Sequence, residues 1–203
     1  MGLVIQHSGE PCNGWRVDRQ RRVLRSLASL TVVLILSLAS PSRALADEAT
    51  EREYQVKAAM IFNFAQFTEW PADTFQNDGA PFIFATVGTD PFHGTLEQSL
   101  AGKIFGGRPV TVVHFASVKE IRPCQVLFVS KDQDANLKQI MQIVRSKPTL
   151  TVGETDAFPW SGGVIRFYME DNKIRFEINP KAAMEARLTI SSKMMKLARI
   201  FRA

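Results

Sequence analysis

The sequence predicts an α/β fold: a three-layer sandwich with a mainly parallel central sheet of about four strands, helices on both faces and a C-terminal antiparallel hairpin. Three observations predict it. Short apolar runs alternate with helical patterns between residues 81 and 153, the rhythm of parallel strands joined by crossover helices. Two strictly alternating segments, 164–170 and 173–179, then flank Asp171-Asn172 as a hairpin would. Ahead of the first strand, residues 51–70 form a helical stretch with more apolar surface than one buried face requires.

Each element has its own signal. EREYQVKAAMIFNFAQFTEW (51–70) has good helix formers early and Pro71 as its stop. Val56, Met60, Phe64 and Phe67 make its core stripe, while Ile61, Phe62 and Ala65 widen the apolar surface. PFIFATVG (81–88) reads as a buried strand. TDPFHGTLEQSLAG (89–102) reads as a helix with Asp90 as N-cap and Pro91 in the first turn. RPVTVVHFA (108–116) and QVLFVS (125–130) are the next strands. QDANLKQIMQIV (133–144) is a helix with Leu137, Ile140, Met141 and Val144 on one side, and TLTVG (149–153) is the fourth strand.

In the hairpin, a two-residue turn pairs Ile165 with Ile178, Phe167 with Phe176 and Met169 with Ile174 on one face. The other face pairs Arg166 with Glu177 and Glu170 with Lys173, and its Arg166, Tyr168 and Arg175 are expected to meet water. Phe64, Met60 and Phe176 are assigned to the core. Pro180 opens a short helix over 180–188. SSKMMKLARIFR (191–202) reads as a last helix, with Lys193, Lys196, Arg199 and Arg202 opposite Met194, Leu197, Ala198 and Phe201. Its basic end suits the helix dipole.

The first 46 residues read as a cleaved secretion signal and residues 47–203 as a single domain. Arg16, Arg19, Arg21, Arg22 and Arg25 precede the apolar run 27–40, which is too short and wrongly flanked for stable membrane insertion. ALA (44–46) fits a small-x-small cleavage site, with the cut between Ala46 and Asp47. Six of the 25 basic residues and two of the 20 acidic ones lie in this leader. The remainder is close to neutral, so the formal charge of +5 reflects export and not nucleic-acid binding. Export points to the periplasm. Cys124 is the one cysteine left after cleavage; it abuts an apolar run and is expected to be a buried structural thiol.

Residues that could carry chemistry are sparse. Only His93 and His114 remain beyond the leader, and no His/Cys/acid cluster has metal-ligand spacing, so no metal and no cofactor are expected. There is no Walker loop, G-x-S-x-G or G-x-G-x-x-G. GTDPFHG (88–94) opens a helix after a strand, where α/β sheets bind ligands, but its Asp90 would repel an anion. GETDAFPWSGG (153–163) offers Glu154, Asp156 and an exposed-looking Trp160, and is read as a surface turn. An enzyme would need Glu154 and Asp156 to converge with His93; no catalytic residue is assigned. A small-ligand sensor or carrier would line a pocket with Thr89, Asp90 and Glu154 at the carboxyl ends of the strands. The leading reading is an interaction protein, which explains the surplus rings at Phe62, Phe67 and Trp70.

EYQVKAAMIFNFAQFTEWP (53–71), VGTDPFHGTL (87–96), CQVLFVS (124–130), LTVGET (150–155), GGVIRFYMEDNKIRFEIN (162–179) and LTISSKMMKLARI (188–200) together resemble the YfiR family of periplasmic regulators, also called YfiR/HmsC-like. The resemblance implies a small non-enzymatic α/β sandwich. It implies repression of an inner-membrane diguanylate cyclase, or another sensor, through its periplasmic part, and so control of cyclic-di-GMP and biofilm. An outer-membrane lipoprotein that sequesters the repressor, and a homodimer, are also implied. The expected contact residues are Phe62, Phe67 and Trp70, with Arg187, Lys193 and the Arg166/Arg175 face. The family's best-studied branch uses disulfides, which this chain cannot form within residues 47–203. Arg166 also stands where the family usually has Asn, and Met194-Met195 where it has Leu-Leu.

Overall fold

The computed structural model describes residues 41–75 and 77–202, with only the backbone of residues 41–47. Apart from that stretch, the expected leader lies outside the described residues, as do the side chains at its cleavage point, Ala46 and Asp47. Chain contacts divide the molecule into Met1–Glu48 and Ala49–Ala203. The first unit contributes only helical residues 41–48, and the account below concerns the second.

Helix α1 (Pro41–Gln66) packs on one face of the sheet through residues 54–65. Its buried side chains are Tyr54, Lys57, Ala58, Ile61, Phe64 and Ala65, spaced by three and four. The expected stripe was rotated by about one position: Val56 and Phe67 are 49% and 43% exposed, and Met60 is half-buried. The buried face includes a lysine, and a count of apolar residues cannot register one.

The helix also stops earlier than Pro71. Thr68 donates its hydroxyl to the Phe64 carbonyl at 2.7 Å, satisfying an acceptor of the last turn. Strand β1 (Thr68–Glu69) then pairs antiparallel with strand β9 (Thr189–Ile190), and the Ser191 amide donates to the Phe67 carbonyl.

The main sheet contains β2 (Phe82–Val87), β3 (Ile104–Phe105), β4 (Arg108–Phe115), β5 (Val126–Val129), β6 (Leu150–Gly153), β7 (Ile165–Glu170), β8 (Lys173–Ile178) and β10 (Arg199–Ile200). Its order is β10-β8-β7-β6-β5-β2-β4-β3. All four expected strands, β2, β4, β5 and β6, pair parallel, and β7 continues them beside β6. The hairpin β7–β8 has every expected pair, from Ile165 opposite Ile178 to Glu170 opposite Lys173. Asp171 and Asn172 carry φ of 50° and 56°, as a two-residue turn of this hand requires.

Strand alternation divides the interior into two cores. Phe82, Phe84, Val126, Phe128, Leu150 and Val152 pack with α1, with helix α2 (Thr95–Leu100) and with helix α5 (Pro180–Glu185). On the other face Ala85, Val87, Leu127 and Val129 pack with helix α3 (Leu137–Val144) and with Phe158 of helix α4 (Ala157–Trp160). These two cores define the three layers that the alternating pattern predicts.

The structure corrects three boundaries. Helix α2 begins after Gly94, at φ 84°, while Asp90 instead accepts the Phe92 amide at 3.0 Å in a local turn. A 3₁₀ segment over Lys131–Asn136 precedes α3. The last helix, α6 (Ser192–Leu197), is cut short because Arg199–Ile200 joins the sheet parallel to β8. Leu197, placed on the packing side by helical spacing, is therefore 79% exposed.

Cys124 is buried at 4% exposure, and desolvation pushes its thiol up to about 12, opposed by Lys147. Because the thiolate is the reactive form, native protein at pH 8 is expected to resist iodoacetamide until denaturant is added. Full alkylation before unfolding, counted by intact mass, would contradict this burial.

Candidate functional site

The sheet reverses direction of growth at β2, with β4 on one side and β5 on the other, and α/β folds bind ligands outside the carboxyl ends at such a point. Here side chains from the turns after β2 and β5 bond across that point. Gly88 turns the chain at φ 93°, where a Cβ would lie 2.5 Å from an Asp132 oxygen. Asp132 accepts the Thr89 amide at 3.1 Å and the Thr89 hydroxyl at 3.0 Å. Partial desolvation opposes ionisation, but these bonds and one from Gln133 hold the Asp132 carboxyl below its ordinary range.

Next to it, Glu154 is sealed at the end of β6. The Tyr54 hydroxyl donates to its Oε2 at 3.0 Å, Lys57 bonds its Oε1, and Lys131 reaches to 3.9 Å from outside. Burial, then the Glu154 carboxylate, pushes the Tyr54 phenol well above the usual range and keeps it a donor. Lys57 also bonds Glu53 and lies 4.4 Å from the centre of the Tyr54 ring. Thr89 and Glu154 are thus tied to different partners, and Asp90 lies with Glu97 and His114. Asp156 bonds Arg166, and neither it nor Glu154 nor His93 joins a group of His, Cys or carboxylate ligands among the described residues. The sequence did not show Tyr54 and Lys57 as Glu154's partners; the signal was a lone lysine inside an apolar helix face.

The aromatic residues divide. Phe62 is half-buried, 6.3 Å from Phe84 by ring centres and under the Lys103 ammonium at 4.7 Å. Trp70 donates its indole N–H to the Pro148 carbonyl at 2.9 Å and meets Phe82 and Phe105 edge-on. Both rings serve the protein's own core. Phe67 is exposed just after α1, where its carbonyl takes the Ser191 amide at the β1–β9 ribbon; Arg187 and the exposed Lys193 lie on either side of that ribbon strand in sequence. Arg187 has φ 56° and pairs with Asp73 at 2.9 Å.

The hairpin face is less open than its alternation suggests. Arg166 is 11% exposed and is held by Glu177 at 2.5 Å and by Asp156. Arg175 is half exposed, 3.8 Å from Glu170. Elsewhere Trp160 is 69% exposed and packs edge-on to Phe201 at 4.9 Å. Grooves of about 510 and 590 Å³ lie on either side of it.

A three-layer α/β domain with aromatic side chains at its surface defines the class. The sequence profile described as YfiR/HmsC-like matches residues 54–199, and the chain belongs to that family. The family is periplasmic and regulatory, and acts through protein–protein interaction with a signalling partner. No curated protein matches the chain. Among the described residues no helix is long and apolar enough to cross a membrane.

Proposed function

We propose that this protein is a non-enzymatic regulator that docks on the periplasmic part of an inner-membrane signalling protein, a diguanylate cyclase, and holds it inactive. The observation that carries this reading is the β1–β9 ribbon. It ties the segment after α1, Thr68–Glu69, to Thr189–Ile190 just ahead of Ser191-Ser192-Lys193, and leaves Phe67 exposed where its carbonyl takes the Ser191 amide. An exposed ring next to a ribbon whose chain carries Arg187 and Lys193 suits a protein partner better than a metabolite. Binding would favour the receptor's inactive arrangement and so lower cyclic-di-GMP by population shift.

Phe67→Asp is the direct test, because the side chain is half exposed and contributes little to the core. The variant is expected to melt like wild type yet bind the receptor's periplasmic domain about 2 kcal/mol more weakly, roughly thirtyfold in Kd. In cells, cyclic-di-GMP should rise to the level of the deletion strain. The reading fails if deletion leaves cyclic-di-GMP unchanged and the protein recovers no inner-membrane sensor in pull-downs.

A further inference from the structure

Three side chains from three separate elements converge where α2 crosses the carboxyl ends of β2 and β4. Asp90 comes from the turn after β2, Glu97 from α2 and His114 from β4, and one ligand atom of each lies within 4.8 Å of the others. His114 is oriented from behind. Thr86, fully buried on β2, places its hydroxyl 2.6 Å from His114 Nδ1, while Nε2 faces Glu97. With Nδ1 donating to Thr86, the Nε2 lone pair points toward the carboxylates, as in metal sites whose histidines are fixed by an outer partner.

Glu97 Oε1 bonds His114 Nε2, and its second oxygen has no such partner. Glu97 Oε2 is shut off from solvent and meets no donor. Asp90 has one oxygen on the Phe92 amide, and among the described residues no Lys or Arg forms an ion pair with either acid. A buried carboxylate oxygen without a donor carries a desolvation cost that a bound cation would remove.

From this geometry we infer that Asp90, Glu97 and His114 form a divalent-metal site. One imidazole nitrogen and two carboxylate oxygens suit zinc, with water completing the coordination on the side where His114 is exposed. The ion would clamp α2 to β2 and β4 near the sheet's outer edge. This site is independent of the docking patch at Phe67, so either reading can fail alone.

Zinc titration of the purified protein by calorimetry, followed by cobalt absorption and thermal melting, tests the site. One equivalent of zinc is expected to bind and raise the melting temperature. His114→Ala and Glu97→Gln should each abolish saturable binding, and Thr86→Val should weaken it about tenfold through loss of the orienting bond. His93→Ala, in an exposed turn, should bind like wild type. Absence of saturable zinc binding by wild type overturns the site. Binding that survives His114→Ala in protein with unchanged circular dichroism, or that disappears in His93→Ala, does so equally.

Discussion

Glu154→Ala is expected to lower unfolding free energy by about 3–5 kcal/mol, the usual cost of removing one partner from a buried ion pair. The side chains of Lys57 and Glu154 are each only 3% exposed. Without Glu154, the Lys57 ammonium keeps only Glu53, which is itself 29% exposed, as a charged partner. Lys57→Ala should cost a similar amount, since Glu154 then keeps the Tyr54 hydroxyl at 3.0 Å and a distant Lys131. In a domain of this size such losses lower Tm by on the order of 10 °C. The pair is not thereby a net source of stability, because desolvating two charges offsets most of their attraction. The double variant Lys57→Met/Glu154→Leu removes both charges and is expected to lie closer to wild type than either single variant. Urea unfolding of wild type, this double variant and its own singles, Lys57→Met and Glu154→Leu, measures the coupling. A double variant as unstable as the sum of the singles would show that shape and not charge accounts for the loss.

The same pair marks where the sequence was legible and where it was not. Parallel strands declare themselves because both faces are buried, so their residues are apolar whichever way they point; Val126–Val129 and Leu150–Gly153 are buried throughout. The hairpin was legible at the level of register because each cross-strand pair carries matching chemistry. Helix α1 was legible as a helix but not in its rotation. Tyr54 and Lys57 belong to the buried face only because a carboxylate a hundred residues away receives them. The final helix failed for a related reason. Arg199 and Ile200 fit helical spacing, yet β8 offered an unpaired edge, and backbone pairing there outweighed one more turn of a short helix.

The candidate site followed the same division. Phe67 meets the chain at Ser191 through the β1–β9 ribbon, whose two-residue strands have no periodicity to detect. Phe62 and Trp70 were noticed as surplus to one helical stripe. The surplus has a partner inside the monomer: Phe82, Phe84 and Phe105 of the sheet supply the second apolar neighbour. Arg166 looked wet by alternation, but Asp156 from the preceding loop and Glu177 from the facing strand close over it. Likewise, Asp90, Glu97 and His114 fit no ligand-spacing motif because three different elements supply them.

Gly163→Ala is expected to cost about 3 kcal/mol, at the upper end of what overpacking imposes. A Cβ there would lie 2.1 Å from Phe158 Cε1, and one at Gly153 would lie 2.4 Å from Phe158 Cδ2. The two glycines grip one ring from separate strand ends. Phe158 cannot swing aside: it is 1% exposed within the second core, and the Gly163 amide donates to its carbonyl at 3.0 Å. Gly163 requires no left-handed backbone, so strain at φ does not contribute and the effect is steric. The clash has a local signature. Pushing on Phe158 displaces α4, and Trp160 two residues on should lose its edge-on packing against Phe201, altering indole fluorescence before global unfolding. Phe158→Leu alone leaves a void and is itself destabilising, but combined with Gly163→Ala it should restore part of the lost stability, a coupling opposite in sign to two independent defects. If Gly163→Ala melts with wild type, the ring has room that the close approach denies.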